Sequence, residues 1–399
     1  MKSRTSLNHL PYPARENPLE VTWEVTRACS LSCRTCRPAA NTRQHPLELT
    51  TPEAWRMVDQ AARCDPARFI LAGGDPLRRL NLESLIHYAA QKGLRVHLHA
   101  SATPELCAAD FRELKEAGLA CIALRLDGAI QERHDRYRGL PGMWHRTMEC
   151  ILKAGEAGLA FEVHTALTDF SVLEMEEFAE LLGDLQPACW RVKIPVLSAN
   201  AAGNDDRTGH HLEALFEKLC QWSGSLGCHI QVANGNHYRR VAMQQRRRRC
   251  GDSLSEIPSR SRASRGDHGG AEPNHDARAR SGDDFHVAGE SPNGGEGRRT
   301  LFISHIGEIQ PDSRLALSAG NVRTHDLFEV YQTHPLFRTL RDPRALKGKC
   351  GRCEFNVICG GSRSRAFAMT GDYLAQDPWC IYEPQANRSH SVPTTLAAG

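Results

Sequence analysis

Short β-rich runs alternating with amphipathic helical stretches predict an α/β chain: a partial (β/α)6 barrel, open on one side, followed by a cysteine-rich C-terminal extension. Three observations carry that prediction. The alternation holds from Val21 to about Val232, a Cys-x3-Cys-x2-Cys segment (Cys29, Cys33, Cys36) follows the first β-rich run, and Cys350, Cys353, Cys359 and Cys380 gather near the C-terminal end.

The strand candidates are Val21–Thr26, Arg68–Ala72, Leu94–His99, Leu119–Leu126, Leu159–Leu167 and Trp190–Val196. Helices are expected between them. One begins at Thr50-Thr51-Pro52-Glu53, where a hydroxyl cap and an early proline mark an N-terminus; another runs from Asn81 to Gly93, and a third from Thr103 to Gly118. Six such units instead of eight leave the barrel incomplete. Active sites of such barrels lie at the C-terminal ends of the strands, which is where the first cysteine segment falls.

Period-two alternation assigns the faces. From Cys121 to Asp127, Ile122, Leu124 and Leu126 share one face, and Cys121, Ala123, Arg125 and Asp127 the other. His97 and His99 share a face, as do Glu162 and His164, and Arg191 and Lys193, while their strand-mates are apolar. A closed barrel fills its interior with branched apolar side chains, so a polar, partly basic lining predicts an open cavity for a charged ligand. A register that turns some of these faces to solvent is the competing reading.

After the barrel the composition changes. Residues 246–299 open with Arg246-Arg247-Arg248-Arg249, include Cys250, and have Phe285 as their only aromatic, which predicts a disordered, solvated linker. Thr300–Ile309 reads as a β-hairpin around His305-Ile306-Gly307, and an amphipathic helix is expected at about Asp326–Leu340. The expected division is a tail (1–18), the barrel (19–240), the linker (246–299), a cysteine-rich domain (300–385) and a second tail (386–399).

Composition narrows the function classes. A formal net charge of +3 with 24% charged residues gives no argument for nucleic-acid binding. Met1–Glu20 has no apolar core of a secretory signal and no run reaches membrane-spanning length, so a cytoplasmic location is expected. Fifteen cysteines, an odd number, argue for reduced thiols and metal sites over a disulfide scaffold. Cys64, Cys107, Cys121, Cys150, Cys189, Cys220 and Cys228 lack ligand spacing and read as small buried residues.

Three thiolates cannot saturate a four-iron cluster, so Cys29, Cys33 and Cys36 would leave one iron open. The rival is a zinc site with His45 as fourth ligand, although no second cysteine pair follows nearby. The later cysteines form Cys-x2-Cys-x5-Cys and a fourth twenty residues on; that closed set suits either zinc or an iron–sulfur cluster.

The first cysteine segment resembles that of radical S-adenosylmethionine (SAM) enzymes. Gly73-Gly74-Asp75-Pro76 stands where they carry a glycine-rich motif, and His134–Gly139 with Pro141-Gly142 matches a segment after their fourth strand. Lys347–Cys350, Cys359–Ala366, Thr370–Asp372 and Asp377–Cys380 are similar to a SPASM-type extension. The resemblance implies that an electron from the first [4Fe–4S] cluster cleaves SAM to a 5′-deoxyadenosyl radical. It implies that Gly73, Gly74 and Asp75 help seat SAM and that Cys350, Cys353, Cys359 and Cys380 hold an auxiliary [4Fe–4S] cluster. Ser101 reads as a plain loop serine ahead of a polar contact to SAM, and Arg125, on one strand face with Asp127, either pairs with a carboxylate of SAM or substrate or forms a salt bridge within the cavity. Peptide-maturing members carry cysteines at the positions of Asp312 and Arg363, so one auxiliary cluster is expected here. Arg125 also departs from the family, replacing a common serine.

Within the superfamily, Gly360–Ala366, Gln310-Pro311-Asp312 and Ser318–Arg323 are similar to enzymes of heme d1 and alternative heme synthesis. That implies an oxidoreductase acting on a carboxylate-bearing tetrapyrrole, with a flavodoxin or ferredoxin as electron donor. His97, His99 and His164 read as core or solvent histidines ahead of axial ligands to a porphyrin iron. The alternatives are a peptide maturase and, outside enzymes, a zinc-stabilised binding module. The sequence names no catalytic residue beyond the cofactor ligands.

Overall fold

Nine strands form one sheet in the computed structural model, which describes residues 17–33, 43–167, 174–196, 206–250 and 296–385. They are β1 Glu20–Thr26, β2 Arg68–Gly73, β3 Val96–Ala100, β4 Leu119–Arg125, β5 Ala160–Ala166, β6 Cys189–Lys193, β7 His229–Ala233, β8 Thr300–Ile303 and β9 Ile309–Gln310. The order is β7-β6-β5-β4-β3-β2-β1-β8-β9, parallel throughout except for the antiparallel β8–β9 pair. The mostly parallel barrel sheet with outer helices is the fold class expected. Two strands extend it: β7 was not anticipated, and β8 both turns into β9 and pairs with β1. No helix among the described residues is long and apolar enough to cross a membrane.

The apolar strand faces point outward against the helices. Trp23, Phe69, Leu98, Ile122, Val163 and Trp190 are fully buried, packed with Met57, Leu85, Phe178 and Phe216 from the helices Thr51–Arg63, Leu82–Gln91, Met175–Leu185 and Asp206–Trp222. Burying apolar area at roughly 25 cal/mol per Å2 makes this shell the main stabilising term. The first of these helices has the expected start, with Glu53 accepting from both the amide and the hydroxyl of Thr50.

Two expected helices are each divided. Thr103 caps Pro104–Ala108, and Asp110 then caps a separate Phe111–Glu116. The later helix breaks into Leu327–Thr333 and Pro335–Arg341, because Pro335 has no N–H to continue the ladder. The linker boundaries also move inward. Arg246–Cys250 end the helix His237–Cys250, and Glu296 and Arg298 are buried. The rest of the expected linker, most of both tails, and Cys36 lie outside the described residues.

Candidate active site

The strands are parallel, so their C-terminal ends form one mouth. The cysteine loop leaves β1 at this mouth and is seated on the glycine turn after β2. Gly74 N donates to Thr26 O (2.9 Å) and Asp75 N to Ala28 O (2.8 Å). A Cβ on Gly73, where φ is +146°, would stand 2.2 Å from Thr26 O, and one on Gly74 would stand 2.5 Å from Arg27 O. Only glycine permits that approach. Glu48 tightens the loop by accepting from Thr26 Oγ1 and Arg27 N, both at 2.9 Å. Cys29 is buried, with Leu31 N donating to its Sγ at 3.4 Å, and Cys33 is half-buried. His45 is occupied elsewhere: its Nδ1 accepts from Leu47 N and its ring packs edge-on against His305.

Asp75 is fully buried and caps the turn Pro76–Arg78 by accepting from Leu77 N; burial pushes its carboxyl up to about 6. Asp127, fully buried as well, is the polar hub of the mouth. It accepts from Arg125 Nη2 (3.0 Å) and Ala166 N (2.8 Å), and Arg138 Nη1 lies 3.6 Å away. Burial opposes its charge, but Arg125 and Arg138 hold its carboxyl below the usual range. Arg138 also donates to Ser101 Oγ at 2.8 Å, while His134 Nδ1 accepts from Asp127 N at 3.0 Å. The segment around His134–Gly139 thus props Asp127, Ser101 and Arg125 together. Burial works against the charge on Arg125, and Asp127 outweighs it, with a smaller contribution from Cys33.

Deeper in the barrel, a polar network closes the floor. Arg191 on β6 reaches across to Glu20 on β1, with Nη2–Oε1 at 2.7 Å and Nη1–Oε2 at 3.3 Å. Arg68 Nη1 donates to Glu20 Oε1 and to Gln231 Oε1, both at 3.2 Å, and lies 3.8 Å from Glu162 Oε1. Only a curled sheet brings β1 and β2 against β6 and β7 in this way. Burial raises the Glu20 carboxyl, yet Arg191 and Arg68 prevail and hold it down at about 2. Glu162 Oε2 lies 3.1 Å from His164 Nε2. Burial drives His97 down to about 4, and His99 and His164 well below their ordinary value, so all three are neutral at pH 7. His97, Glu162, His164 and Arg191 are buried. This part of the expected open lining is therefore a filled floor, and its cations are neutralised by the chain's own carboxylates.

Lys193 differs. It ends β6 at the mouth, flanked in register by Ala166 and Ala233, whose small side chains leave room beside it. Its ammonium makes no hydrogen bond or ion pair among the described residues. Burial, with repulsion from Arg125, Arg191 and Arg314, lowers it to about 7. Asp312 interacts with it, but burial and Glu296 push that carboxyl up to about 6.

The four late cysteines line one cavity, together with His237, Arg240 and Lys349. Burial pushes the thiols of Cys359 and Cys380 up to about 12 and raises that of Cys353. A bound cation would have to displace those protons. Backbone amides already point at the sulfurs: Asp377 N lies 3.5 Å from Cys350 Sγ, and Gly361 N lies 3.4 Å from Cys359 Sγ. Fully buried Asp377 pairs with Arg365 Nη1 (2.9 Å) and lies 3.1 Å from His237 Nε2. Asn236 Nδ2 donates to Gly361 O at 2.7 Å, tying this cluster to the β7 edge of the barrel.

The comparisons with known proteins agree with this geometry. Residues 23–185 match the profile of the Radical SAM superfamily. An AdoMet-dependent heme synthase from Oleidesulfovibrio alaskensis is 32% identical over 92% of this chain and 87% of its own length. The chain belongs to the radical SAM superfamily. A Methanosarcina barkeri protein of the same name is 31% identical over 92% of the chain and 97% of its own length. The fold also matches a crystal structure of Streptococcus suis SuiB bound to precursor peptide SuiA, with a TM-score of 0.64 at 15% identity over 92% of this chain and 76% of that one.

Membership makes this radical SAM chain an enzyme and implies SAM and a [4Fe–4S] cluster; the zinc-stabilised binding module falls away. The residues fit such a cluster at the loop, where Cys29 and Cys33 stand at the mouth and Cys36 lies outside the described residues. Glu20, Arg68, Gln231 and Glu296 were missed by sequence reading. Glu20 sits one residue ahead of the expected first strand, and the contacts of all four depend on the curl of the sheet or on the return of the chain after the linker.

Proposed function

We propose that this radical SAM enzyme modifies side chains of a carboxylate-bearing tetrapyrrole. The observation that carries the reading is the 32% identity, over nearly the whole chain, to a protein named for heme synthesis. Lys193 supports it, because a partly buried cation in ion-pair contact with no carboxylate of the described residues suits a substrate anion at the mouth.

Cys29, Cys33 and Cys36 would hold the cluster, which supplies the electron that cleaves SAM to the 5′-deoxyadenosyl radical. The chain's own residues then have separate tasks. Gly73, Gly74 and Asp75 fix the cysteine loop and so place SAM; two of their amides are already spent on that loop. Ser101, Arg125 and Asp127 form the polar wall beside Cys33, and Arg125 orients a carboxylate of SAM or substrate. Lys193 anchors a substrate carboxylate. Cys350, Cys353, Cys359 and Cys380 would hold one auxiliary four-iron cluster that passes electrons to or from the mouth, with a flavodoxin or ferredoxin as outside donor.

The test combines metal content and ligand binding. Anaerobic reconstitution should give about eight irons per chain, four for each cluster. Optical titration with iron-containing and metal-free carboxylated tetrapyrroles should show a Soret shift with roughly micromolar affinity. No shift, together with turnover of a precursor peptide, would replace this reading with a peptide maturase.

A further inference from the structure

Beside the four-cysteine cavity lies a buried cation without a carboxylate partner. Arg363 is 2% exposed. Its Nη1 donates to Tyr373 O (3.0 Å) and Ala375 O (2.7 Å), its Nε donates to Gly361 O (3.3 Å), and its Nη2 lies 3.8 Å from Cys350 Sγ. No carboxylate among the described residues forms an ion pair with it. Asp372 acts on it only at longer range and is itself bound to Lys347 at 2.6 Å. Arg365, two residues on, shows the ordinary solution, with Nη1 on both oxygens of Asp377.

A guanidinium does not shed its proton on burial, so its charge needs an anion nearby. Backbone carbonyls offer only partial charge. In contact with Arg363, the group able to supply a full negative charge is the thiolate of Cys350. The backbone is shaped to keep that contact open. At Gly361, where φ is +65°, a Cβ would stand 2.6 Å from Arg363 Nη2 and 3.2 Å from Cys350 Sγ.

We infer that Arg363 is a fixed positive charge that raises the reduction potential of the auxiliary iron–sulfur cluster, an inference that rests on the cluster assignment above. The sign follows from charge. Reduction adds one electron to an already anionic four-thiolate cluster, so a fixed neighbouring cation favours the reduced form more than the oxidised one. The amides of Asp377 and Gly361 act in the same direction as dipoles. Arg363 is therefore a positioning and tuning residue, acting through the cluster and touching no substrate.

The experiment is a redox titration of the reconstituted holoenzyme, followed by electron paramagnetic resonance of the signal that SAM does not perturb. In Arg363→Gln, the equilibrium constant for reduction should fall at least tenfold, which is a drop of 59 mV for one electron. Arg363→Lys keeps the charge and should stay within about threefold of wild type. An unchanged potential in a loaded Arg363→Gln enzyme, or an equal fall in both variants, would overturn the inference. If the Gln variant fails to assemble the cluster, the Lys variant decides: a wild-type-like potential supports the charge, and a tenfold fall refutes it. Zinc in place of iron at the four cysteines would overturn the cluster assignment as well. Four irons with an unmoved potential would overturn only the role of Arg363.

Discussion

The floor and the mouth of the barrel present the same types of residue to the interior, with opposite outcomes. On the floor, Arg191 and Arg68 meet Glu20 and Glu162, and the charges cancel. At the mouth, Arg125 and Arg138 share Asp127, while Lys193 between two alanines makes no hydrogen bond or ion pair among the described residues. A count of cations along the strands therefore overstates what a substrate can use. The floor stabilises the barrel, and the mouth retains an unsatisfied charge. Burying an unpaired charge is costly, which is why the Lys193 amine is lowered to about 7 and would gain most from an anion beside it.

The sharpest way to test that division is to remove the chemistry at the mouth and leave the floor intact. Replacing Cys29, Cys33 and Cys36 together by Ala should abolish SAM cleavage and remove about four of about eight irons, without touching the ion pairs below. Iron analysis and chromatography of 5′-deoxyadenosine check this. SAM cleavage at the wild-type rate would place radical generation elsewhere.

The floor should answer in stability instead. Glu20→Gln leaves buried Arg191 without the carboxylate it grips and Arg68 with one fewer, and is expected to cost about 3 kcal/mol. Since the Glu20 carboxyl is lowered from 4.5 to about 2, its contribution is complete above pH 4.5 and is lost as the pH falls towards 2. The variant should therefore flatten that part of the acid limb in a chemical denaturation series. An unaltered unfolding midpoint would mean that the floor is structurally idle.

Lys193→Ala should do the reverse. Stability should hold or rise, because an unpaired desolvated cation is removed, while tetrapyrrole affinity falls about tenfold, or roughly 1.4 kcal/mol. The lysine is lowered from 10.5 to about 7. Between those values the unfolded state binds more protons, so Lys193 makes stability rise with pH across that window. Anion binding has the opposite trend: wild-type affinity should weaken as the pH passes 7, and the variant should lack that slope. Parallel titrations of both proteins would show it.

Local regularities were legible and long-range ones were not. Period-two alternation placed His97 with His99, Glu162 with His164, and Arg191 with Lys193 on the interior face, where the sheet register puts them. It could not show that Arg191 would find Glu20, because that contact spans the barrel and depends on the curl of the sheet. β7, His229–Ala233, escaped notice although it is no shorter than β3 and β6. Cysteine spacing singled out the four residues of one cavity, but nothing local distinguishes Arg365, which meets Asp377, from Arg363, which meets a cysteine. The break before Pro335 was readable from proline chemistry and was overlooked.

The smallest effect is expected between these regions, and it depends on where the linker ends. Glu296 accepts from Ser362 Oγ and Asn234 Nδ2 and from the amides of Arg363 and Ser364, so it belongs to the support of the cysteine cavity. Residues 252–294 contain a single aromatic, Phe285, and little else that is bulky and apolar. Exchanging them for a shorter Gly/Ser linker should leave the unfolding free energy within about 0.5 kcal/mol and the iron content unchanged, because few apolar groups are lost. Carrying the removal through Gly297 should instead cost about 2–3 kcal/mol, since Glu296 leaves buried donors without an acceptor. Thermal melts and iron counts of the two deletions separate the outcomes. A large loss from the shorter exchange would show that the segment contributes to the folded core.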